Sequence, residues 1–294
     1  MDHVIIGRDF VRAALPRRRE DGHKGTFGKL LLVGGAVGYT GAPYLAALGA
    51  VRAGCGLVYL GVPGCIWAVE AVKCVSAMPF PLPDDGERLT AEALPALRER
   101  LKGADVLALG PGLGRGEGVS TLVRALLREA EMPVVLDADG LNALAGDLSA
   151  LDARRGRVTV LTPHLGEFAR LLGLPLAEAE ALPHDEAASR FAVEHGCVLL
   201  LKGHRSLIAL PDGRVLENTT GGSALAKGGS GDVLTGIIAA LLCQGASPAD
   251  AAACGAWLHG RAGDLLSRTR TPYCVTPGDV ANDGLPLALS ELLR

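Results

Sequence analysis

From residue 29 onward, short apolar runs alternate with stretches whose apolar positions recur at helical spacing. The run KLLLV at 29–33 stops at Gly34-Gly35, as a strand does when it ends in a flexible turn. An Ala-rich helix is predicted over 44–53, closed by Gly54, then a strand over 57–60 and a helix over 62–73. Pro79, Pro81, Pro83 and Asp84-Asp85 mark a surface connection, and Thr90 is placed to cap a helix running to Leu101. The rhythm repeats, with strands predicted at 105–109, 133–136, 158–161 and 197–202. Helices fall between and around them at 117–131, 141–145, 166–172 and 185–195. Strands at 206–210 and 214–217, separated by Pro211-Asp212-Gly213, read as a β-hairpin. The last third is helical: 232–243, 248–267 and a final pair near the C-terminus. This alternation predicts an α/β fold with a central, mostly parallel sheet flanked by helices on both faces. No linker, repeat or low-complexity block interrupts the chain, so 1–294 is expected to form a single domain.

Composition narrows the function classes. Apolar residues make up 49% of the 294, yet aromatics only 4%, which suits aliphatic strands under Ala/Leu helices and not a stacking surface for bases. A formal net charge of −3 builds no basic field, so nucleic acid is not an expected partner. The run Arg17-Arg18-Arg19 is followed by Glu20 and Asp21 and reads as a solvated segment. Seven cysteines, an odd number with no C-x-x-C pair, point to a reducing compartment and away from a zinc site. The N-terminal MDHVIIGRDF lacks the order of a signal peptide, and no apolar run is long enough to span a membrane. A soluble cytoplasmic protein is expected.

In a parallel sheet, ligands collect beyond the carboxyl ends of the strands, so the turns there carry the chemistry. The first, GGAVGYTGAP after Val33, is open to two readings: a tightly packed turn, or a backbone approach to a ligand followed by a helix N-terminus. Next, Gly110-Pro111-Gly112-Leu113-Gly114-Arg115-Gly116 has too many glycines for helix or strand propensity to explain. It does not fit the dinucleotide frame G-x-G-x-x-G, so a hydride-transfer Rossmann site is not supported. A third cluster has Asp137, Asp139 and Asn142 at one strand end and Thr162, His164 and Glu167 at the next. They resemble the rim of a site, though helix capping accounts equally well for Asp139, Thr162 and Glu167.

The strongest turn is Gly228-Gly229-Ser230-Gly231-Asp232, opening an apolar helix. Successive backbone N–H groups and the helix dipole make an anion hole there. Asp232 in the first turn is suited to accept a proton from a substrate hydroxyl. The P-loop pattern is absent, so any phosphate chemistry is of another kind. Lys202-Gly203-His204-Arg205-Ser206, at a strand end, supplies basic groups for nucleotide phosphates.

Taken in order, HKGTFGKLLLVGG, GYTGAPYLAALGAVRAG, GPGLG, LDADGLNAL, TPHLGEFARLLG, LLLKG and AKGGSGDVLTGIIAALL resemble the motifs of the ADP-dependent NAD(P)H-hydrate dehydratases over residues 20–265. That family belongs to the ribokinase-like superfamily. The resemblance implies phosphorylation of the ring hydroxyl of hydrated NADH or NADPH (NADHX, NADPHX) by ADP or ATP with Mg²⁺. Phosphate is then expelled to restore the dihydropyridine. By the same resemblance, Asp232 is the acid/base, Gly228, Gly229, Ser230 and Gly231 form the anion hole, and Lys202 to Ser206 hold the adenine nucleotide. Ala42, Gly112, Gly114 and His164 would line the hydrated dinucleotide, and Glu167 would help place Mg²⁺. The family commonly forms tetramers, so a homotetramer is expected. Many relatives carry an epimerase domain that these motifs leave no room for, so the epimerase is expected to be a separate protein. The chain departs from the family at Thr220-Gly221-Gly222-Ser223, where T-G-N-P is usual, which puts the donor preference in question. Two rival readings remain: a ribokinase-like kinase for a vitamin-precursor alcohol, and a nucleotide-binding sensor without catalysis.

Overall fold

The computed structural model describes residues 3–294. Among the described residues ten strands form one sheet: β1 (Val4–Ile5), β2 (Lys29–Val33), β3 (Leu57–Pro63), β4 (Met78–Leu82), β5 (Val106–Leu109), β6 (Val134–Leu136), β7 (Thr159–Leu161), β8 (Val198–Leu201), β9 (Ser206–Ala209) and β10 (Val215–Asn218). Their order is β1-β10-β9-β8-β7-β6-β5-β2-β3-β4. Only β9 runs against the rest, pairing antiparallel with both β8 and β10. Helices cover both faces, so the predicted α/β architecture stands, as does the hairpin.

The interior strands are aliphatic because both faces are buried: β5 to β8 are buried at every position, and Leu30, Leu32, Val33, Leu107 and Leu136 have no exposure. The chain moves outward from β2 to β3 and β4, then returns to β5 on the other side of β2. That reversal opens a crevice beyond the carboxyl ends of β2 and β5, where Gly34-Gly35 and Gly110 to Gly114 lie.

One expected loop is a strand. Pro79 and Pro81 argue for a connection, yet 78–82 pairs in parallel with β3 at the sheet edge, where proline's missing N–H does no harm. Other boundaries move. The helix after β2 begins at Gly41 and runs to Arg52, and β3 continues through Pro63 so that its helix starts at Gly64. Thr90 does not cap through its side chain; its hydroxyl is buried without a partner ahead of a short 3₁₀ turn, and the helix proper is Leu94–Leu101.

Two helices bring the site together. Gly41–Arg52 and Ser230–Cys243 pack backbone to backbone: a Cβ on Gly236 would lie 2.0 Å from the Ala46 carbonyl oxygen, and one on Gly49 would lie 2.5 Å from that of Val233. Among the described residues no helix is long and apolar enough to cross a membrane.

Candidate active site

The Ser230–Cys243 helix starts bare. Gly229 precedes it with φ +95°, in the left-handed region, and no side chain caps it. A side chain at Gly229 would collide with Leu45, whose Cδ1 would be 2.4 Å from the added Cβ. Ser230 N–H donates to the Lys227 carbonyl and Val233 N–H to that of Gly229, so the N–H groups of Gly231 and Asp232 are the ones left for an anion. A Cβ on Gly231 would sit 3.1 Å from Lys202 Nζ, so the ammonium lies beside this N-terminus.

Lys202 follows β8 and donates to Asp137 Oδ1 at 2.8 Å, with Glu167 Oε2 at 3.9 Å. Thr235, one turn along the site helix, donates to Asp137 Oδ2 at 2.7 Å. Asp137 is thus a buried strut joining β6, β8 and the site helix. Burial works against the Lys202 charge, but Asp137 and Glu167 outweigh it and leave its pKa raised. Asp232 stands in the same cluster. Burial, and then the Asp137 carboxylate, push its pKa from 3.8 to about 7, against the smaller pull of Lys202. Three carboxylates share one ammonium here.

Between Asp137 and Asp139 the chain is strained. Ala138 has φ +50°, a conformation that an alanine adopts at a cost of order 1–3 kcal/mol. It sends the two acids apart: Asp137 to Lys202, and Asp139 to the Gly114 N–H at 2.9 Å. Asn142 donates to Asp139 and accepts from Arg170 Nε at 2.7 Å. Asp139 and Asn142 therefore hold the glycine loop in shape. Gly110 meets the Asp137 carbonyl so closely that a Cβ would be 1.8 Å from its oxygen. A Cβ on Gly112 would be 3.0 Å from that of Ala42, which places the first turn of Gly41–Arg52 against this loop. Ala42 thus sits against the loop that carries Gly112 and Gly114.

His164 and Glu167 form a capping box on Leu165–Leu172: His164 Nδ1 accepts from the Gly166 N–H at 3.0 Å, and Glu167 accepts from the His164 N–H at 2.9 Å. The cap expected from Thr162 is made by His164 instead. Burial keeps His164 below its ordinary pKa.

A cavity of about 590 Å³ opens beside the anion hole. His164, Lys202, Gly203, His204, Ser206, Ser230 and Gly231 line it, and Gly221, Gly222 and Ser223 form another wall. Arg205 is turned away and pairs with Glu217. Asp232, Gly228 and Gly229 lie outside the lining, and Gly229 abuts Leu45 of the Gly41–Arg52 helix. Sequence reasoning missed His259, which is buried on the long helix Pro248–Thr269 and whose Nε2 lies 3.2 Å from Ser230 Oγ. Burial and then Lys202 lower its pKa to about 4, so a neutral imidazole backs the anion hole. It missed Asn218 and Thr220 as well, whose hydrogen bonds fix the far wall to Ala256 and Trp257. A histidine in an Ala-rich helix carries no local signal of this role.

A model of the NAD(P)H-hydrate dehydratase family matches residues 30–283, and the chain belongs to that family. It is 48% identical over 289 residues to a bifunctional NAD(P)H-hydrate repair enzyme of Moorella thermoacetica, covering 98% of this chain and 54% of that protein. It is 40% identical to an ADP-dependent (S)-NAD(P)H-hydrate dehydratase of Neisseria meningitidis, covering 86% of this chain and 81% of that protein. The crystal structure of the ADP/ATP-dependent NAD(P)H-hydrate dehydratase of Bacillus subtilis, co-crystallised with ATP and Mg²⁺, superposes with TM-score 0.82 at 30% identity over 99% of both chains. A hydroxyethylthiazole kinase of Pyrococcus horikoshii, at 16% identity and TM-score 0.63, shares the fold. The chain spans about half the length of the first curated relatives it matches, which are bifunctional.

Proposed function

We propose that this member of the NAD(P)H-hydrate dehydratase family uses ADP or ATP to return the S-epimer of hydrated NADH and NADPH to NADH and NADPH. The observation that carries the reading is Asp232: a carboxyl with a pKa near neutrality, one residue past a bare glycine-rich helix N-terminus, between a polar cavity and a glycine-walled crevice.

The adenine nucleotide lies in the cavity lined by Lys202, Gly203, His204 and Ser206, its terminal phosphate at Gly228 to Gly231. The hydrated nicotinamide lies across Asp232 against Ala42, Gly112 and Gly114, with His164 at the boundary. Asp232, ionised, takes the hydroxyl proton as that oxygen attacks the terminal phosphorus. The bond from phosphorus to the bridging oxygen breaks, leaving AMP from ADP or ADP from ATP. Free N–H groups and Lys202 neutralise charge on the transferred group. The ring nitrogen lone pair then expels phosphate, a ring proton is lost, and the dihydropyridine returns.

The donor set suits Mg²⁺, since three carboxylates against one ammonium leave negative charge to be met by a divalent cation arriving with phosphate. Glu167 is the carboxylate that would hold it, since Lys202 and Thr235 occupy both Asp137 oxygens, and bound there it would offset charge on the phosphates. The seven free cysteines support a reducing cytoplasm. Val72 and Val75, 84% and 95% exposed beside the edge strand β4, support self-association, in keeping with a tetramer.

The experiment is a product balance with NADHX. One inorganic phosphate per NADH formed, with no phosphorylated organic product accumulating, supports the dehydratase. A stable phosphorylated alcohol in place of free phosphate would instead establish the kinase.

A further inference from the structure

The second large cavity lies away from this chemistry. About 680 Å³ in volume, it sits where the helices Gly41–Arg52 and Ser230–Cys243 end, under the segment 12–18 and against the C-terminal helix Leu285–Leu293. Along the Ser230–Cys243 helix, about 14 Å separates Asp232 from Leu241 on the cavity wall, nine residues later. Its floor is aliphatic: Leu241, Leu258 and Leu285 are buried, and Leu289 is half-buried.

Its rim is cationic. Arg12, Arg17, Arg18 and Arg52 all line the mouth, and among the described residues no acidic side chain does. Arg18 lies 3.7 Å over the Phe27 ring and donates to the Gly54 carbonyl, and Arg52 donates twice to Asn282 Oδ1. None of the four forms an ion pair among the described residues. Of the nearby acids, Asp21 is held by Arg19. In a chain of net charge −3, four arginines gather around one opening whose described lining carries no carboxylate; Arg18 and Arg52 are held by neutral partners, and Arg12 and Arg17 are exposed.

We propose that this cavity binds an amphiphile with an anionic head and an unbranched hydrocarbon tail, of the fatty-carboxylate class. Guanidinium forks match a planar carboxylate two bonds at a time, and the leucine floor takes the tail. The volume lies within the ordinary range for small-molecule sites. A nucleotide does not suit it, because among the described residues no aromatic side chain lines it to stack a base, and Gln244 is the one uncharged hydrogen-bonding side chain there. The recess sits among helices, which fits a single tail better than a lipid surface.

The test is calorimetric titration of the full chain with octanoate, decanoate and dodecanoate, each below its critical micelle concentration, with and without saturating ADP. One site per chain is expected, tightening about fourfold per added methylene, weakening with salt and indifferent to ADP. Decyltrimethylammonium, with the same tail and the opposite charge, should not bind. Arg12→Gln with Arg17→Gln should weaken dodecanoate at least tenfold, and Leu289→Trp, filling the floor, should abolish binding. Unchanged ADP affinity in both variants shows that they are folded. No saturable binding of dodecanoate overturns the proposal. So does equal binding of the cationic chain, competition by ADP, or binding only to anionic vesicles.

Discussion

Replacing Asp232 by Asn separates what this side chain does for the reaction from what it costs the fold. Its pKa rises from 3.8 to about 7, chiefly through burial. The folded state thus binds the proton more tightly than the unfolded chain. Between about pH 4 and 7 the folded protein keeps a proton that the unfolded chain has lost, so stability falls as pH rises through that window. At about 1.36 kcal/mol per pKa unit, the ionised carboxyl costs the native state up to about 4 kcal/mol at pH 8. Asn pays none of this. For a chain of this size that is a Tm difference of roughly 6 °C. Thermal unfolding of both proteins at pH 4 and pH 8 reads it directly: the Asn variant should gain about 6 °C on wild type between the two pH values. Catalysis should move the other way, with kcat down about 10²–10⁴-fold. Wild-type kcat should fall as pH drops below about 7, where Asp232 protonates. A Tm difference that does not change with pH would refute the reasoning about burial.

Three further outcomes follow from the packing. Lys202→Met leaves Asp137 and Glu167 without their cation, and should cost about 3–5 kcal/mol in urea unfolding and raise the apparent pKa of the rate. Gly110→Ala forces a Cβ into the Asp137 carbonyl and should not yield folded protein, whereas Gly228→Ala, with no atom within 4 Å of the added Cβ, should fold with wild-type stability. Arg154 is buried and donates to Thr159 Oγ1 and to the carbonyls of Leu127, Ala130, Met132 and Val158, so Arg154→Met should lose about 4 kcal/mol or more by chemical denaturation.

The strands of the central sheet could be read from the chain because burial on both faces makes them unbroken aliphatic runs. Gly228 to Asp232 could be read because such a cluster of small residues has no cause in helix propensity. Edge strand β4 was hidden by its prolines, and β1 by its two-residue length. What no local pattern shows is pairing across distance. Asp137 meets Thr235, and Ser230 meets His259, only after the sheet has brought β6, the site helix and the long helix together. Asp139 and Asn142 lie in the same motif as Asp137, but the turn at Ala138 gives them a bracing role beside the glycine loop.

The most direct test of the central claim is near-ultraviolet absorbance of the dihydronicotinamide. Purified protein would be given NADHX and Mg²⁺ with ADP, with ATP or with no nucleotide. The account predicts that absorbance returns with ADP or ATP, stays absent without nucleotide, and is largely lost in Asp232→Asn. No return with either nucleotide, from protein that binds ADP normally, would contradict it.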